Sequence, residues 1–235
     1  MDELPTVPPN VDAAVALCEE CSEVSEIVKT LDETAFARPT RCPEWNVKEL
    51  FAHICRDVDR IEVALDSDPS GPATHDSVTY FRSYDATPGG DDAMGVAARS
   101  KELAARYESG RGLVDAWNEL WPRTLRRAEA ADRDRLVVTF GPVLTFDEYL
   151  KTRVLELTVH RMDLEDAIGR RGWGTDSAVS IVDDILVGLL GTEPPRRLDW
   201  DAVDFIEAGT GRRPLTEGER KKLGPRLARR FPLLG

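Results

Sequence analysis

The chain has 235 residues, is 41% hydrophobic, and carries 43 acidic against 31 basic side chains for a formal net charge of −12, a size that supports one large domain or one domain with an appendage. That acidity argues against nucleic-acid recognition, which concentrates Lys and Arg on one face; the single basic run, Arg220-Lys221-Lys222 with Arg226, Arg229 and Arg230, reads as a solvated helix face. No apolar run approaches the ~20 residues of a membrane span, and Met1-Asp2-Glu3-Leu4-Pro5 lacks the basic and apolar parts of a secretory signal, so a soluble cytoplasmic protein is expected.

Apolar residues at Val11, Ala14, Leu17, Cys18, Cys21, Val24, Val28 and Leu31 recur at three-and-four spacing, which predicts a first amphipathic helix. The four cysteines, Cys18, Cys21, Cys42 and Cys55, lie in the first quarter of the chain and suit a reducing compartment; Cys18 and Cys21 sit inside the helical pattern without a second pair and read as packing thiols. After the turn-rich stretch Thr40 to Asn46, Asn46 and Glu49 have the spacing of a capping box for a second helix over Val47 to Leu65. Its apolar stripe is Val47, Leu50, Phe51, Ile54, Val58, Ile61 and Leu65. His53 falls just outside that stripe with Asp57 between them, and Cys55 points well away from His53.

Residues 66–91, with several breakers, His75 and the pair Tyr80-Phe81, read as a long loop with a turn of helix. A third helix is signalled by Val96, Ser100, Leu103, Tyr107, Val114, Trp117 and Trp121; Gly110 and Gly112 weaken its middle, and Pro122 should stop or kink it, with helix resuming over 123–130. Two β-branched runs about Gly141-Pro142 predict a short hairpin or extended arm. Thr145 and Glu148 have capping-box spacing for a fourth helix that buries Phe146, Tyr149, Leu150, Leu157, Leu164, Ala167 and Ile168 and ends at Gly169. Beyond Gly172, short helices over 178–190, 200–208 and 217–229 form a small appendage. The chain thus reads as mainly all-α: a four-helix bundle over 1–170 and a mostly helical C-terminal appendage over 171–235 packed on it.

The fourth helix carries the chemistry. Glu156 and His160 stand four residues apart and share a face, so one turn supplies two ligands of the kind a divalent metal such as zinc accepts. The chain has three histidines, leaving His53 or His75 to add a third. His53, Glu156 and His160 lie at the margins of facing stripes and can close a three-ligand site; the commoner arrangement of such residues has His53 hydrogen-bonding a carboxylate while Glu156 pairs with Arg153. Arg153 sits in the centre of an apolar stripe, so its charge must meet Asp57, Asp163 or a substrate.

Two phrases carry a family resemblance. Thr40-Arg41-Cys42-Pro43-Glu44-Trp45-Asn46-Val47-Lys48-Glu49-Leu50-Phe51-Ala52-His53 resembles the T-x-C-P-x-W-x-V-x-x-L-x-x-H opening of the mycothiol-dependent maleylpyruvate isomerase N-terminal domain family, a branch of the DinB-like metalloenzymes. Residues Arg153 to Gly169 resemble its R-x-x-E-x-x-x-H-x-x-D-x-x-x-A-x-G. The resemblance covers about residues 11–170 and implies a DinB-like bundle binding one divalent metal, usually zinc, through His53, Glu156 and His160. It further implies mycothiol as thiol co-substrate, and a metal-bound thiolate attacking an electrophilic small molecule. Asp57 and Asp163, each near a ligand histidine, would orient an imidazole or accept the thiol proton; Arg153 would meet a partner or substrate, and Arg212 or Arg213 could reach in from the tail. His75 would be solvated or touch as a lid. The tail resembles that of small members of the group and is shorter than the isomerase's second domain, which favours S-transfer over isomerisation. A metal hydrolase and a non-catalytic metal-stabilised binding protein are the rivals, and monomer and homodimer both remain open.

Overall fold

The computed structural model describes residues 11–83, 91–138 and 141–234. In chain order the elements are α1 (Ala13–Val28), α2 (Glu33–Phe36), α3 (Val47–Leu65), α4 (Ser77–Ser83), α5 (Asp91–Ala105), α6 (Gly110–Ala130), β1 (Leu136–Val138), β2 (Val143–Thr145), α7 (Phe146–Ala167), α8 (Asp176–Leu190), a 3-10 turn at Arg196–Leu198, α9 (Ala202–Gly209), α10 (Glu217–Leu223) and α11 (Pro225–Ala228). The fold is all-α apart from the β1–β2 hairpin, in which Val137 faces Leu144. Among the described residues, no helix is long and apolar enough to cross a membrane.

Four long helices make the DinB-like bundle: α7 packs on α1 and α3, and α6 packs on the same two from the other side. α5 lies against α3, while α8 lies against α7 and α1 and carries α9, so the core continues into the C-terminal segment through Ile181, Leu186, Val203 and Phe205. The ends are set locally. Asn46 accepts from the Glu49 amide at 2.9 Å and the Glu49 carboxylate accepts from the Asn46 amide at 2.9 Å, the expected reciprocal cap of α3. Thr145 caps α7, but Glu148 does not return to it. It accepts from the Ser77 amide at 2.7 Å and from Lys151, and so ties the start of α4 to α7.

The expected third helix is two. α5 ends at Ala105 and α6 begins after Ser109, whose hydroxyl accepts from the Gly112 amide at 3.1 Å. Gly110 is a packing residue here, since a Cβ on it would stand 2.1 Å from the Phe36 ring. Glu33 also takes the Gly110 amide at 2.9 Å. Pro122 does not stop α6, which continues to Ala130 because Trp117, Leu125 and Ala128 are held in the core on both sides of it. The loop expected over 66–91 contains α4, which has two turns, and it ends where α5 begins; its residues 84–90, residues 139–140 of the hairpin, and residues 1–10 and 235 lie outside the described residues.

One buried ion pair was not visible in the periodicity. Arg161 of α7 donates from Nε to Glu20 of α1 at 2.7 Å and from Nη2 to the same carboxylate at 3.2 Å; Glu20 is fully buried and also accepts from the Thr175 amide at 2.8 Å. It joins α1, α7 and the start of α8. Removing one member of such a pair strands the other charge. Arg161→Ala is therefore expected to cost about 3–5 kcal/mol in urea unfolding. The double replacement Glu20→Leu with Arg161→Met should recover most of that loss.

Candidate metal centre

The centre forms where α3 and α7 face each other. His53 comes from the second turn of α3, Glu156 and His160 from successive turns of α7, and their donor atoms lie within 4.8 Å of one another. The two imidazoles are perpendicular, with ring centroids 4.6 Å apart. One Glu156 carboxylate oxygen stands 3.7 Å from His53 Nε2 and 3.5 Å from His160 Nε2. Those separations are long for hydrogen bonds. They suit a shared ion, because two donors each about 2.1 Å from a tetrahedral zinc stand about 3.4 Å apart.

His53 gives the sharper indication. Both of its ring nitrogens are buried and neither has a hydrogen-bond partner, an arrangement that is costly unless a ligand completes it. The ring is clamped face to face by Trp45, with centroids 4.7 Å apart, and the same indole meets His160 edge-on at 5.7 Å. Trp45 is placed by the turn before α3, where the Thr40 hydroxyl donates to the Trp45 carbonyl at 2.8 Å and accepts from the Cys42 amide at 3.1 Å.

The same turn supports the other histidine. His160 Nδ1 stands 2.9 Å from Asp163 Oδ2, which leaves Nε2 directed at Glu156. Asp163, fully buried, also accepts from Arg41 Nε at 2.6 Å, from the Cys42 thiol at 3.2 Å and from Arg212 Nη2 at 2.9 Å. Burial works to raise the Asp163 carboxyl, yet the His160 hydrogen bond and the Arg212 charge hold it well below the usual carboxylate range. Cys42, His160 and Asp163 are a second group close enough to hold a cation, but two guanidinium groups already neutralise Asp163, so this group serves as hydrogen-bonded support for His160.

On the other side of His53, Asp57 Oδ2 lies 3.5 Å from Nε2 and is buried without a hydrogen-bond partner, while Oδ1 accepts from Arg153 Nη1 at 2.8 Å. Of the partners open to Arg153, the structure provides Asp57. Burial opposes the Glu156 charge, but the adjacent imidazoles of His160 and His53, with the Arg153 charge, hold its carboxyl well below normal. Arg213 is turned away, pairing with Asp204 at 3.3 Å and Glu219 at 3.0 Å and lying over Trp200. His75 hydrogen-bonds Thr74 at 2.9 Å, and Cys55 is buried in the core. Arg41, Cys42 and Trp45 were not singled out from the sequence, although all three stand in the phrase that carries the resemblance.

A model of the mycothiol maleylpyruvate isomerase N-terminal domain matches residues 17–165, which runs from within α1 through nearly all of α7 and takes in every residue of the His53, Glu156, His160 group. The chain belongs to that family. No curated protein and no solved structure matches it. The matched span includes the turn before α3 and the facing turns of α3 and α7 where His53 keeps both nitrogens unpartnered.

Protein loaded with zinc and dialysed should hold about one ion per chain, and His160→Ala should hold none by elemental analysis. Asp163→Asn should weaken affinity about 10–100-fold with all three ligands intact. Burial lowers the basicity of His160, but Asp163, Cys42 and Glu156 raise it well above the ordinary imidazole value, so the metal-free ring is protonated near neutrality. Metal must displace that proton. Affinity should therefore rise with pH through neutrality, and calorimetry in buffers of different ionisation enthalpy should find about one proton released per ion.

Proposed function

We propose that the chain joins mycothiol through its sulfur to an electrophilic small molecule at a divalent metal, zinc in the first instance, held by His53, Glu156 and His160. What carries the reading is the pair of buried, unpartnered nitrogens on His53 beside a carboxylate set between two imidazoles, in a chain of a mycothiol family. A divalent ion so bound supplies the Lewis acidity that keeps a thiol ionised at neutral pH.

The surrounding residues divide the remaining work. Asp57 Oδ2, fixed by Arg153 through Oδ1, is the acceptor for the thiol proton. Asp163 fixes the ring of His160, and Arg41 and Arg212 keep the Asp163 charge in place. Trp45 covers the face of His53 and keeps water from it. The sulfur lone pair forms the new S–C bond as the electrophile releases a leaving group or shifts an electron pair to oxygen. The work is carried out on small molecules in the cytoplasm, with mycothiol as the second substrate.

Mass spectrometry of products from mycothiol and a panel of electrophiles tests this. A product that retains the whole thiol supports transfer. A product that gains only water makes the chain a hydrolase, and one of unchanged mass formed only with mycothiol makes it an isomerase. Asp57→Asn should lower kcat about 10²–10⁴-fold while metal content stays unchanged; an unaltered kcat removes Asp57 from the proton path.

A further inference from the structure

The hydrogen bonds around Asp163 do not stop at its own donors. Arg41 lies between two carboxylates: Nε donates to Asp163 Oδ1 at 2.6 Å, and Nη1 donates to Oε1 of Glu207, on α9, at 2.9 Å. Glu207 reaches Asp163 by a second route as well. Its backbone carbonyl accepts from the amides of Arg212 at 2.8 Å and Arg213 at 3.2 Å. From that anchored turn the Arg212 guanidinium returns to Asp163, with Nε 3.2 Å from Oδ1 and Nη2 2.9 Å from Oδ2, while Nη1 donates to the Thr210 carbonyl at 2.9 Å. Residues 232–234 close the turn from the other side. The Leu233 and Leu234 amides donate to the Gly209 carbonyl at 2.7 and 3.0 Å, and Gly211, at φ +74°, lies against Pro232.

Glu207 therefore touches both arginines that serve Asp163, one through its side chain and the other through its backbone. Both contacts bear on His160, whose Nδ1 stands 2.9 Å from Asp163 Oδ2. Asp163, Arg41 and Arg212 alone would carry a net positive charge directly behind that imidazole, where it opposes a bound cation. The Glu207 carboxylate makes the four groups neutral. Its side chain is 27% exposed while that of Asp163 is fully buried, so water screens Glu207 in part and its effect on the ligand is the smaller of the two. An ion pair that only tied α9 to the turn before α3 would leave His160 indifferent to it.

We propose that Glu207 is a positioning residue for His160: it holds Arg41, and through its carbonyl the Arg212 turn, so that Asp163 keeps its orientation behind the imidazole without surplus positive charge. The inference rests on the metal reading above and adds to it a residue of α9, beyond the residues that the family model matches.

Glu207→Gln tests this in the full chain, because it keeps the backbone carbonyl and the shape of the side chain and removes the charge; thermal unfolding is the control for the fold. Cobalt(II) is the probe, since its visible absorption reports the geometry of the ligands around it. The variant should bind cobalt about tenfold more weakly than the wild type, the low end of the loss expected for a group behind a ligand, and its visible band should shift. Adding Glu207→Gln to Arg41→Ala should cost little more than Arg41→Ala alone. An unchanged affinity, an unchanged band, or a further loss of the same size in the Arg41→Ala background overturns the proposal. Where the wild type takes up no cobalt, the metal reading falls and the metal-free protein decides. Its imidazole nitrogen NMR signals, assigned with His160→Ala, are then compared between the wild type and Glu207→Gln. A moved His160 signal with His75 unmoved supports the positioning role; an unmoved His160 signal, or equal movement of both, overturns it.

Discussion

Asp163 is fully buried and carries a charge that the bundle must satisfy from several directions at once. It does so with His160 from its own helix, Arg41 and Cys42 from the turn before α3, and Arg212 from beyond α9. A carboxylate in such surroundings is stable only when its donors are complete, so the segments that supply them are held in register by one another. The position of His160, and through Trp45 the position of His53, follows from that arrangement.

The seam between α3 and α7 is a second case of the same physics. Buried ion pairs such as Asp57 with Arg153 add little net stability, because desolvation offsets most of their attraction. The apolar contacts of Leu50, Ile54, Leu150, Leu157 and Trp117 hold the helices together, and the polar seam selects how they align. A bundle of this kind can keep unpartnered donors and acceptors at its centre because its stability lies elsewhere.

Much of this was legible in the residues. The apolar spacing of α1, α3 and α7 and the reciprocal cap at Asn46 gave the bundle, and the four-residue spacing of Glu156 and His160 gave half of the candidate cluster. Periodicity missed what depends on contact at a distance. Gly110 looked like a weak point in a helix and is a glycine because Phe36 lies against it; Pro122 looked like a stop and is carried through by its neighbours. Glu20 sits among the apolar positions of α1, where nothing local reveals that Arg161 will reach it from 141 residues away. Arg212 and Arg213 were indistinguishable as sequence neighbours, yet one meets Asp163 and the other turns to Glu219 and Asp204. Arg41, Cys42 and Trp45 belonged to a phrase whose meaning is tertiary: it is a strap across the two helices of the candidate site.

The link from Arg212 to Asp163 also bears on where this protein can be divided. The family match ends at residue 165, two residues beyond Asp163 and well short of Arg212. A fragment cut at that border would contain all three candidate ligands and still lack a cation that balances the carboxylate behind His160. The boundary drawn by likeness and the boundary drawn by charge neutrality therefore differ, and the working unit is the longer of the two.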